Sequence, residues 1–142
     1  MALTTLVAFS LITIFLTLSL WHIYWLLGGD AGRDAAIPEV DGKPVFQPSV
    51  VATFIVAVAL ALCALLIAAT AGLVSLPLSQ TVLAWLTRTL AGVLLLRAIG
   101  DFRLVGFFKR IRDTRFARFD TAVYSPLSLL LAIGSSIVGF MS

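Results

Sequence analysis

Four long apolar stretches constrain this chain more than any other feature of its sequence. They run over Ala2–Leu27, Val50–Leu76, Leu78–Gly100 and Thr121–Met141. A helix needs about 20 predominantly apolar residues to cross the hydrocarbon layer of a bilayer, and each stretch supplies that number. The sequence therefore predicts four transmembrane helices, joined by polar connectors over 28–49 and 101–120 and by a tight turn at Pro77, which cannot extend the second helix.

The composition excludes a water-soluble domain. Of the 142 residues, 61% are hydrophobic and 12% are charged, whereas soluble domains are about half apolar and a quarter charged. A chain this short leaves much of its surface exposed when it folds, so one core in water cannot hold this apolar content. The expected fold is an all-α membrane protein, a single transmembrane domain over residues 1–142 that forms an antiparallel up-and-down bundle of four transmembrane helices. The first stretch lacks a basic leader and is longer than the apolar part of a signal peptide, so it is expected to be retained.

The distribution of basic residues predicts the orientation of the bundle. All Lys and Arg residues except Arg88 and Arg97 lie in the two polar connectors, and none lies in the terminal tails or in the turn at Pro77. Lys and Arg are retained preferentially on the cytoplasmic side of a membrane. Both connectors are therefore expected in the cytoplasm, and both termini on the periplasmic or external side of a multi-pass inner-membrane protein.

The second connector is strongly basic, and its apolar residues follow a helical spacing. Four apolar side chains fall within one narrow arc of a helix, and the neighbouring cations lie outside it. These four are Leu104, Phe107, Phe108 and Ile111. The pattern predicts a basic amphipathic connector before the last helix, lying on the anionic cytoplasmic leaflet. The expected partners are therefore the lipid bilayer and its anionic headgroups, and not nucleic acid. The candidates for salt bridges between the two connectors are Asp30, Asp34, Arg115 and Arg118.

Arg88 is predicted to lie near the bilayer midplane, ten residues into the third apolar stretch. An arginine at that depth costs at least about 2.5–3.5 kcal/mol to insert, and no Asp or Glu lies inside the four stretches. Three interpretations stay open. The guanidinium can bond to carbonyls and hydroxyls of the bundle interior, reach outward to Gln80 and the headgroups, or line a wet cavity and receive an anion. The candidate hydroxyls are those of Thr13, Thr17 and Thr70.

Arg97 and His22 are polar residues near the cytoplasmic ends of the third and first spans. Arg97 either anchors its helix at the membrane boundary or pairs with Asp101 four residues later. His22 can carry a proton, and it lies level with Arg97. Two interpretations of His22 stay open: it shares a cytoplasmic pocket with Arg97, or it is a neutral histidine of the core. The aromatic residues beside His22 are typical of an interfacial belt; they are Trp21, Tyr24 and Trp25.

The sequence carries no motif for a cofactor, a metal or a known catalytic centre. Cys63 and His22 are its only cysteine and histidine, which argues against a zinc or iron–sulfur site. Phosphate-loop, GxGxxG, GxSxG and HExxH motifs are absent. Neither a cofactor nor a metal is expected, and Cys63 is expected to be an inert thiol within an apolar helix.

Three short motifs lie at the predicted cytoplasmic ends of spans one, three and four. They are Trp21-His22-x-Tyr24-Trp25-x-x-Gly28-Gly29, Arg97-Ala98-Ile99-Gly100-Asp101-Phe102-Arg103-x-x-Gly106-Phe107-Phe108-Lys109, and Phe116-x-x-x-Asp120-x-x-x-Tyr124-Ser125-Pro126. Through these motifs the chain resembles a family of small bacterial four-span membrane proteins known only as a domain of unknown function. The resemblance covers nearly the whole chain. The resemblance implies a bacterial inner-membrane protein and supplies no activity, substrate or catalytic residue.

Antiparallel packing would bring the three motifs into one layer at the cytoplasmic mouth, where we expect the functional site. At least one hydrogen bond or salt bridge is expected there, beside a pocket that opens to the cytoplasm. The side chains expected to form it are His22, Arg97, Asp101, Asp120 and Tyr124. The full set of candidate ligand-binding residues is His22, Tyr24, Arg88, Arg97, Asp101, Arg103, Lys109, Asp120 and Tyr124.

The favoured function is a non-enzymatic module that binds a lipid headgroup, an anion or a protein partner at this mouth. Two alternatives stay open. One is a small dimeric transporter that uses Arg88 near the midplane. The other is an intramembrane enzyme with His22 as the acid–base group beside Asp101 or Asp120. Small residues at four-residue spacing in the second span permit close helix contact, so a second copy of the chain is a candidate partner.

Overall fold

A computed structural model describes residues 2–141 of the chain. Four helices in this part of the chain are long and apolar enough to cross a membrane. In chain order the helices are α1 (Ala2–Leu26), α2 (Arg33–Ala36), α3 (Val50–Thr70), α4 (Gln80–Ile99), α5 (Arg115–Phe119) and α6 (Ser125–Met141). A π-helical turn over Asp120–Tyr124 joins α5 to α6, so the last membrane helix runs over Arg115–Met141. The first connector also holds a short antiparallel strand pair, β1 (Glu39–Val40) and β2 (Lys43–Pro44).

The four membrane helices form a ring. α1 packs along α3, α4 packs along α6, and contacts of α1 with α6 and of α3 with α4 close the ring. The predicted bundle of four membrane helices is confirmed. We call the end that holds residues 27–49 and 100–114 the connector end, and the end that holds residues 71–79 the turn end.

Small residues let the helices approach closely. Ser19 of α1 donates a hydrogen bond of 2.7 Å to the carbonyl of Ala57 on α3. A Cβ atom added to Gly134 of α6 would lie 2.9 Å from a methyl carbon of Leu11 on α1. The central apolar core consists of Ala8, Leu11, Phe15, Ala64, Ile67, Leu131 and Val138. Many large apolar side chains on the outer faces are exposed, which is the pattern of helices surrounded by lipid.

α3 ends at Thr70, earlier than the apolar pattern predicted. Gly72 adopts a φ of +72°, a left-handed conformation that glycine enters at little cost. Two backbone hydrogen bonds, from Gly72 N to Ala69 O (3.0 Å) and from Leu73 N to Ala68 O (2.9 Å), form the Schellman motif that ends helices. The glycine therefore ends the helix although the next residues are apolar.

The last membrane helix begins at Arg115, earlier than the predicted start at Thr121. The hydroxyl of Thr114 accepts a hydrogen bond of 3.1 Å from the backbone N–H of Ala117, so Thr114 caps the helix. The basic residues of this first turn, which indicated a connector, are exposed on the helix surface. The basic residues therefore did not mark the start of the helix.

The segment 104–111 is not helical, so the predicted amphipathic helix is wrong. The chain instead forms a loop that folds back onto the end of α4, where Phe107 N donates a hydrogen bond of 2.9 Å to Ala98 O. Asp101 Oδ1 accepts hydrogen bonds of 2.7–2.9 Å from three successive backbone N–H groups, those of residues 103–105. A carboxylate that takes these donors competes with helix formation.

Two glycines permit this loop. Gly100 has a φ of +93° and Gly106 a φ of +90°. The backbone also crosses itself closely, because a Cβ atom on Gly100 would collide with the carbonyl of Val105, and one on Gly106 with the carbonyl of Ile99. The positions of Gly100 and Gly106 in the second motif therefore allow two backbone segments to cross in close contact.

Candidate functional site

A cavity of about 710 Å³ lies at the connector end of the bundle. All four membrane helices contribute to its walls, and six residues of the first connector complete it: Gly32, Arg33, Ala36, Ile37, Phe46 and Pro48. The volume lies within the range of about 300–1,000 Å³ that is usual for small-molecule sites. Close-packed protein interiors leave few voids larger than a water molecule, so the cavity is a distinct feature of this bundle.

The cavity is apolar in its depth and polar at its mouth. Its lining on α1 extends from Phe15 to Trp25, which corresponds to about 15 Å of helix. The deep part is lined by Phe15, Leu60 and Leu131, and the mouth by His22, Arg33 and Arg97. Arg33 and Arg97 are the only charged residues among the described residues that line the cavity. The mouth is therefore electropositive.

Arg97 joins the cavity to a buried ionic cluster. Its Nη2 atom donates a hydrogen bond of 2.7 Å to Oδ1 of Asp120, and its side chain is 34% exposed. Its Nη1 atom is buried and has no hydrogen-bond partner among the described residues. Arg97 therefore lines the cavity with its hydrogen-bonding capacity only partly used.

Asp120 is the anion of this cluster, and its side chain is fully buried. Its Oδ2 atom accepts hydrogen bonds from Gly106 N (2.8 Å), Lys109 Nζ (2.9 Å) and Ser125 Oγ (3.1 Å). Together with the bond from Arg97, they join α4, the second connector and the start of α6 at one carboxylate. They also explain why Asp120 is tolerated in a membrane helix, since a buried carboxylate needs paired charge and hydrogen bonds.

Lys109 is as deeply buried as Asp120, with 1% of its side chain exposed. Its ammonium group also donates to the carbonyl of Gly106 (3.0 Å) and to the hydroxyl of Thr121 (2.6 Å). With Arg97, the cluster contains two cations and one carboxylate. It therefore adds net positive charge beside the cavity.

The first connector is tied to the last membrane helix at two points. The hydroxyl of Tyr124, in the π-helical turn, donates a hydrogen bond of 3.2 Å to the carbonyl of Ala35 on α2. Arg115 Nη1 lies 3.8 Å from Asp34 Oδ2, and both side chains are largely exposed. One of the salt bridges predicted between the connectors is therefore present, although exposed pairs of this kind stabilise a fold only weakly.

His22 lines the cavity without a charged partner. Its Nδ1 atom donates a hydrogen bond of 2.8 Å to the carbonyl of Leu18, one turn earlier in α1. Its ring meets that of Trp25 edge-on, with 4.9 Å between the ring centroids. Neither Asp101 nor Asp120 is bonded to His22, so the structure does not assemble the acid–base group that the enzyme hypothesis requires.

The predicted pairing of Arg97 with Asp101 is wrong. Arg97 reaches Asp120, while Asp101 is occupied by backbone N–H groups of its own loop. Desolvation opposes the ionisation of Asp101, but hydrogen bonds from the N–H groups of Val105, Arg103 and Leu104 outweigh it and lower the pKa of this carboxyl. Asp101 therefore shapes the loop.

The other predicted site residues lie apart from the cavity. The side chain of Arg103 is exposed. The ring of Tyr24 covers Gly29, where a Cβ atom would collide with it, and lies 5.8 Å from the ring of Trp21. Arg88 is at the turn end, where its Nε atom donates a hydrogen bond of 2.8 Å to the carbonyl of Gly139.

The hydroxyl partners predicted for Arg88 are wrong. Thr13 and Thr17 donate to carbonyls of their own helix, those of Phe9 (2.9 Å) and Thr13 (2.8 Å). Thr70 bonds instead to the hydroxyl of Thr87 at 2.8 Å. Helical geometry favours such local bonds for threonine, since its hydroxyl reaches the carbonyl four residues earlier.

Sequence reasoning missed four residues of the site. Gly106, Thr121 and Ser125 surround the buried cluster, and Arg33 lines the cavity mouth. Gly106 and Ser125 stand within the second and third motifs, so their motif positions were an available signal. No sequence signal indicated Arg33 or Thr121, because only the folded connectors bring them to the site.

The family model described as "Protein of unknown function (DUF3995)" matches residues 15–135. The match contains the three motifs, the cavity lining and the Asp120 cluster. No curated protein and no solved structure matches the chain. The chain belongs to the DUF3995 family of proteins of unknown function.

Proposed function

We propose that the protein is a membrane-embedded binding module whose cavity takes a single-chain amphiphile with an anionic headgroup from the cytoplasmic leaflet. One observation carries the proposal: an apolar cavity of about 710 Å³ has two arginines as its only charged lining residues within the described chain. Apolar pockets with a few convergent polar groups are the usual form of ligand sites.

The depth of the cavity suits the apolar tail. Its lining follows about 15 Å of α1, which is half of the roughly 30 Å thickness of a bilayer's hydrocarbon layer. A chain from one leaflet can therefore enter without crossing the midplane. Phe15, Leu60 and Leu131 would contact its end.

The charge at the mouth suits an anionic head. Arg33 has no hydrogen bond from its side chain to a described residue, and Arg97 uses one of its donors on Asp120. The buried cluster holds one more cation than anion, which favours a further anion nearby. Hydrogen bonds between a guanidinium and a carboxylate or phosphate are about twice as strong as neutral ones.

The two alternative functions have less support. Arg88 does not line the cavity, so no single space joins the two ends of the bundle through it. His22 has no carboxylate partner in the described chain, which leaves the enzyme hypothesis without an acid–base pair. Binding without chemistry is therefore the function that the geometry supports best.

Thermal unfolding and native mass spectrometry of the detergent-purified full chain test the proposal. We expect lysophosphatidylglycerol and oleate to bind and to raise the unfolding temperature, and lysophosphatidylcholine to do so much less. Arg33→Gln should weaken binding of the anionic probes several-fold, since it removes one of the two cations at the mouth. Ala52→Trp, which places an indole on the cavity wall, should abolish binding.

Matched controls separate these effects from damage to the fold. Arg103→Gln removes an exposed cation outside the cavity, and Ala59→Trp adds an indole to an exposed position of α3 that does not line it. Both variants should bind like the wild type. Equal stabilisation by the zwitterionic and anionic probes, unaffected by Arg33→Gln and Ala52→Trp, would show that the cavity is not such a site.

A further inference from the structure

Arg88 is held in a fixed orientation at the turn end of the bundle. Its Nε atom donates to the carbonyl of Gly139 at 2.8 Å. Its guanidinium carbon lies 4.3 Å from the ring centroid of Phe140 and 5.2 Å from that of Trp85. Contacts between a guanidinium and aromatic faces are attractive, so two helices together fix the plane of this group.

The hydrogen-bonding capacity of Arg88 is largely unused. A guanidinium carries five N–H donors, and neither Nη atom of Arg88 bonds to a described residue. The only carboxylate in the membrane helices is Asp120, which is occupied at the opposite end of the bundle. No carboxylate of residues 2–141 pairs with Arg88, and a cation in a membrane helix without a counter-ion among these residues points to a ligand.

A groove of about 200 Å³ adjoins this arginine. It is lined by Gln80, Thr81, Ala84, Trp85 and Arg88, all on α4. The Gln80 amide is fixed by a hydrogen bond of 2.7 Å from its Nε2 atom to the carbonyl of Thr70. The groove thus reaches from the guanidinium to the first turn of α4, where the helix dipole also favours negative charge.

The groove occupies the half of α4 that is nearer the turn end. The Cα atom of Arg88 lies eight residues, or about 12 Å, from the start of α4. Side chains on a helix tilt towards its N-terminus, so the guanidinium is closer to the headgroups than its Cα atom is. Of the three interpretations of Arg88, the structure shows the bond to a carbonyl of the bundle, that of Gly139; the outward-reaching and anion-binding interpretations stay predictions.

We propose that the Arg88 groove binds a phosphate group at the turn end of the bundle, with the two Nη atoms as paired donors. A tetrahedral oxyanion matches the forked geometry of a guanidinium. The phosphate comes either from an anionic phospholipid of the leaflet at this end or from free phosphate. This site is separate from the cavity, shares no lining residue with it, and does not depend on the proposed function.

Native mass spectrometry and thermal unfolding of the detergent-purified full chain test the site with three probes: phosphatidylglycerol, phosphatidylcholine and inorganic phosphate. Wild-type protein should retain phosphatidylglycerol and unfold at a higher temperature with it, and should bind phosphatidylcholine more weakly because choline offsets the phosphate charge. Arg88→Gln should weaken phosphatidylglycerol binding at least about tenfold, since hydrogen bonds to a charged group are lost. Arg88→Lys should be intermediate, because it keeps the charge and loses the paired donors.

A second pair of variants keeps the test decisive if Arg88→Gln does not fold. Thr81→Phe fills the groove from an exposed position, and Thr89→Phe adds the same ring to an exposed position of α4 outside it. Thr81→Phe should lose binding, whereas Thr89→Phe and the cavity variant Arg33→Gln should keep it.

The three probes identify the source of the phosphate. Stabilisation by phosphatidylglycerol alone assigns the site to a lipid, and stabilisation also by inorganic phosphate, lost in Thr81→Phe, assigns it to the free ion. If phosphatidylglycerol and inorganic phosphate each stabilise the wild type no more than they stabilise Arg88→Gln and Thr81→Phe, the proposal is wrong.

Discussion

Arg97 Nη2 lies 2.7 Å from Asp120 Oδ1 and thereby joins the end of α4 to the π-helical turn that precedes α6. The other carboxylate oxygen holds Lys109 at 2.9 Å. Burying such charges is costly unless every one of them is paired. The ion pair with Arg97 therefore holds α4 against the last membrane helix, and both helices line the cavity. The ion pair with Lys109 holds the second connector in its fold.

Asp120→Asn should destabilise the protein strongly. The substitution keeps the shape of the side chain but leaves the buried Lys109 ammonium and Arg97 without their counter-ion. Breaking a buried ion pair in this way costs about 3–5 kcal/mol. Unfolding titrations in mixed micelles measure the loss. Asp34→Asn is the control, because its exposed pair with Arg115 should contribute less than about 1 kcal/mol, and equal losses in the two variants would contradict the structural role of Asp120.

Gly106→Ala should prevent the second connector from folding as observed. Its φ of +90° disfavours alanine, and the new Cβ atom would also collide with the carbonyl of Ile99. Gly42→Ala is a matched control, since Gly42 has a φ of +72° with no atom within 4 Å of the added carbon. We expect the control to lose about 1–2 kcal/mol of stability and Gly106→Ala to lose clearly more. Similar losses would show that the backbone crossing is not tight.

Asp101 should make stability depend on pH in the acid range. Its backbone hydrogen bonds lower the pKa of the folded state. A lowered pKa contributes stability that is complete above the unfolded value, about 4, and is lost as the pH falls through the folded value. Wild type should therefore be more stable than Asp101→Ala at neutral pH, and the difference should vanish in strong acid. Asp113→Ala, at an exposed carboxylate without a hydrogen bond to a described residue, is the control and should be about as stable as the wild type at neutral pH.

Reporter fusions test the orientation. An enzyme that is active only in the periplasm should be active when fused after Ser142 and inactive when inserted near Gly42, because the basic connectors are expected in the cytoplasm. A cytoplasmic reporter at the same two positions should give the reverse pattern. Activity of the periplasmic reporter at Gly42 would overturn the orientation, and with it the leaflet assigned to the cavity ligand.

The apolar stretches predicted the bundle because membrane helices must satisfy all backbone hydrogen bonds internally, so length and hydropathy suffice. Helix ends depended on local chemistry that hydropathy does not report: Gly72 ended α3, and Thr114 began the last helix. The segment 104–111 was predicted to be an amphipathic helix because of its apolar spacing, although Gly100, Asp101 and Gly106 favour a turn.

The candidate site was predictable in its location but not in its pairing. Three motifs at span ends pointed to the connector end, where Arg97 and Asp120 do meet. The sequence did not show which carboxylate pairs with Arg97, since Asp101 is nearer in sequence and Asp120 is nearer in space. Arg33 reached the cavity through the fold of the first connector, for which the sequence carried no periodic signal.

The ring of helices consists of two tight pairs, and this division has a mechanical consequence. Arg97 and Arg88 bind the last membrane helix to α4 at two levels. α1 and α3 form the second pair, and both pairs line the cavity. If each pair moves as a unit, the volume of the cavity changes with the separation of the two pairs. We therefore expect the thickness and lateral pressure of the surrounding bilayer to affect binding of the proposed amphiphile.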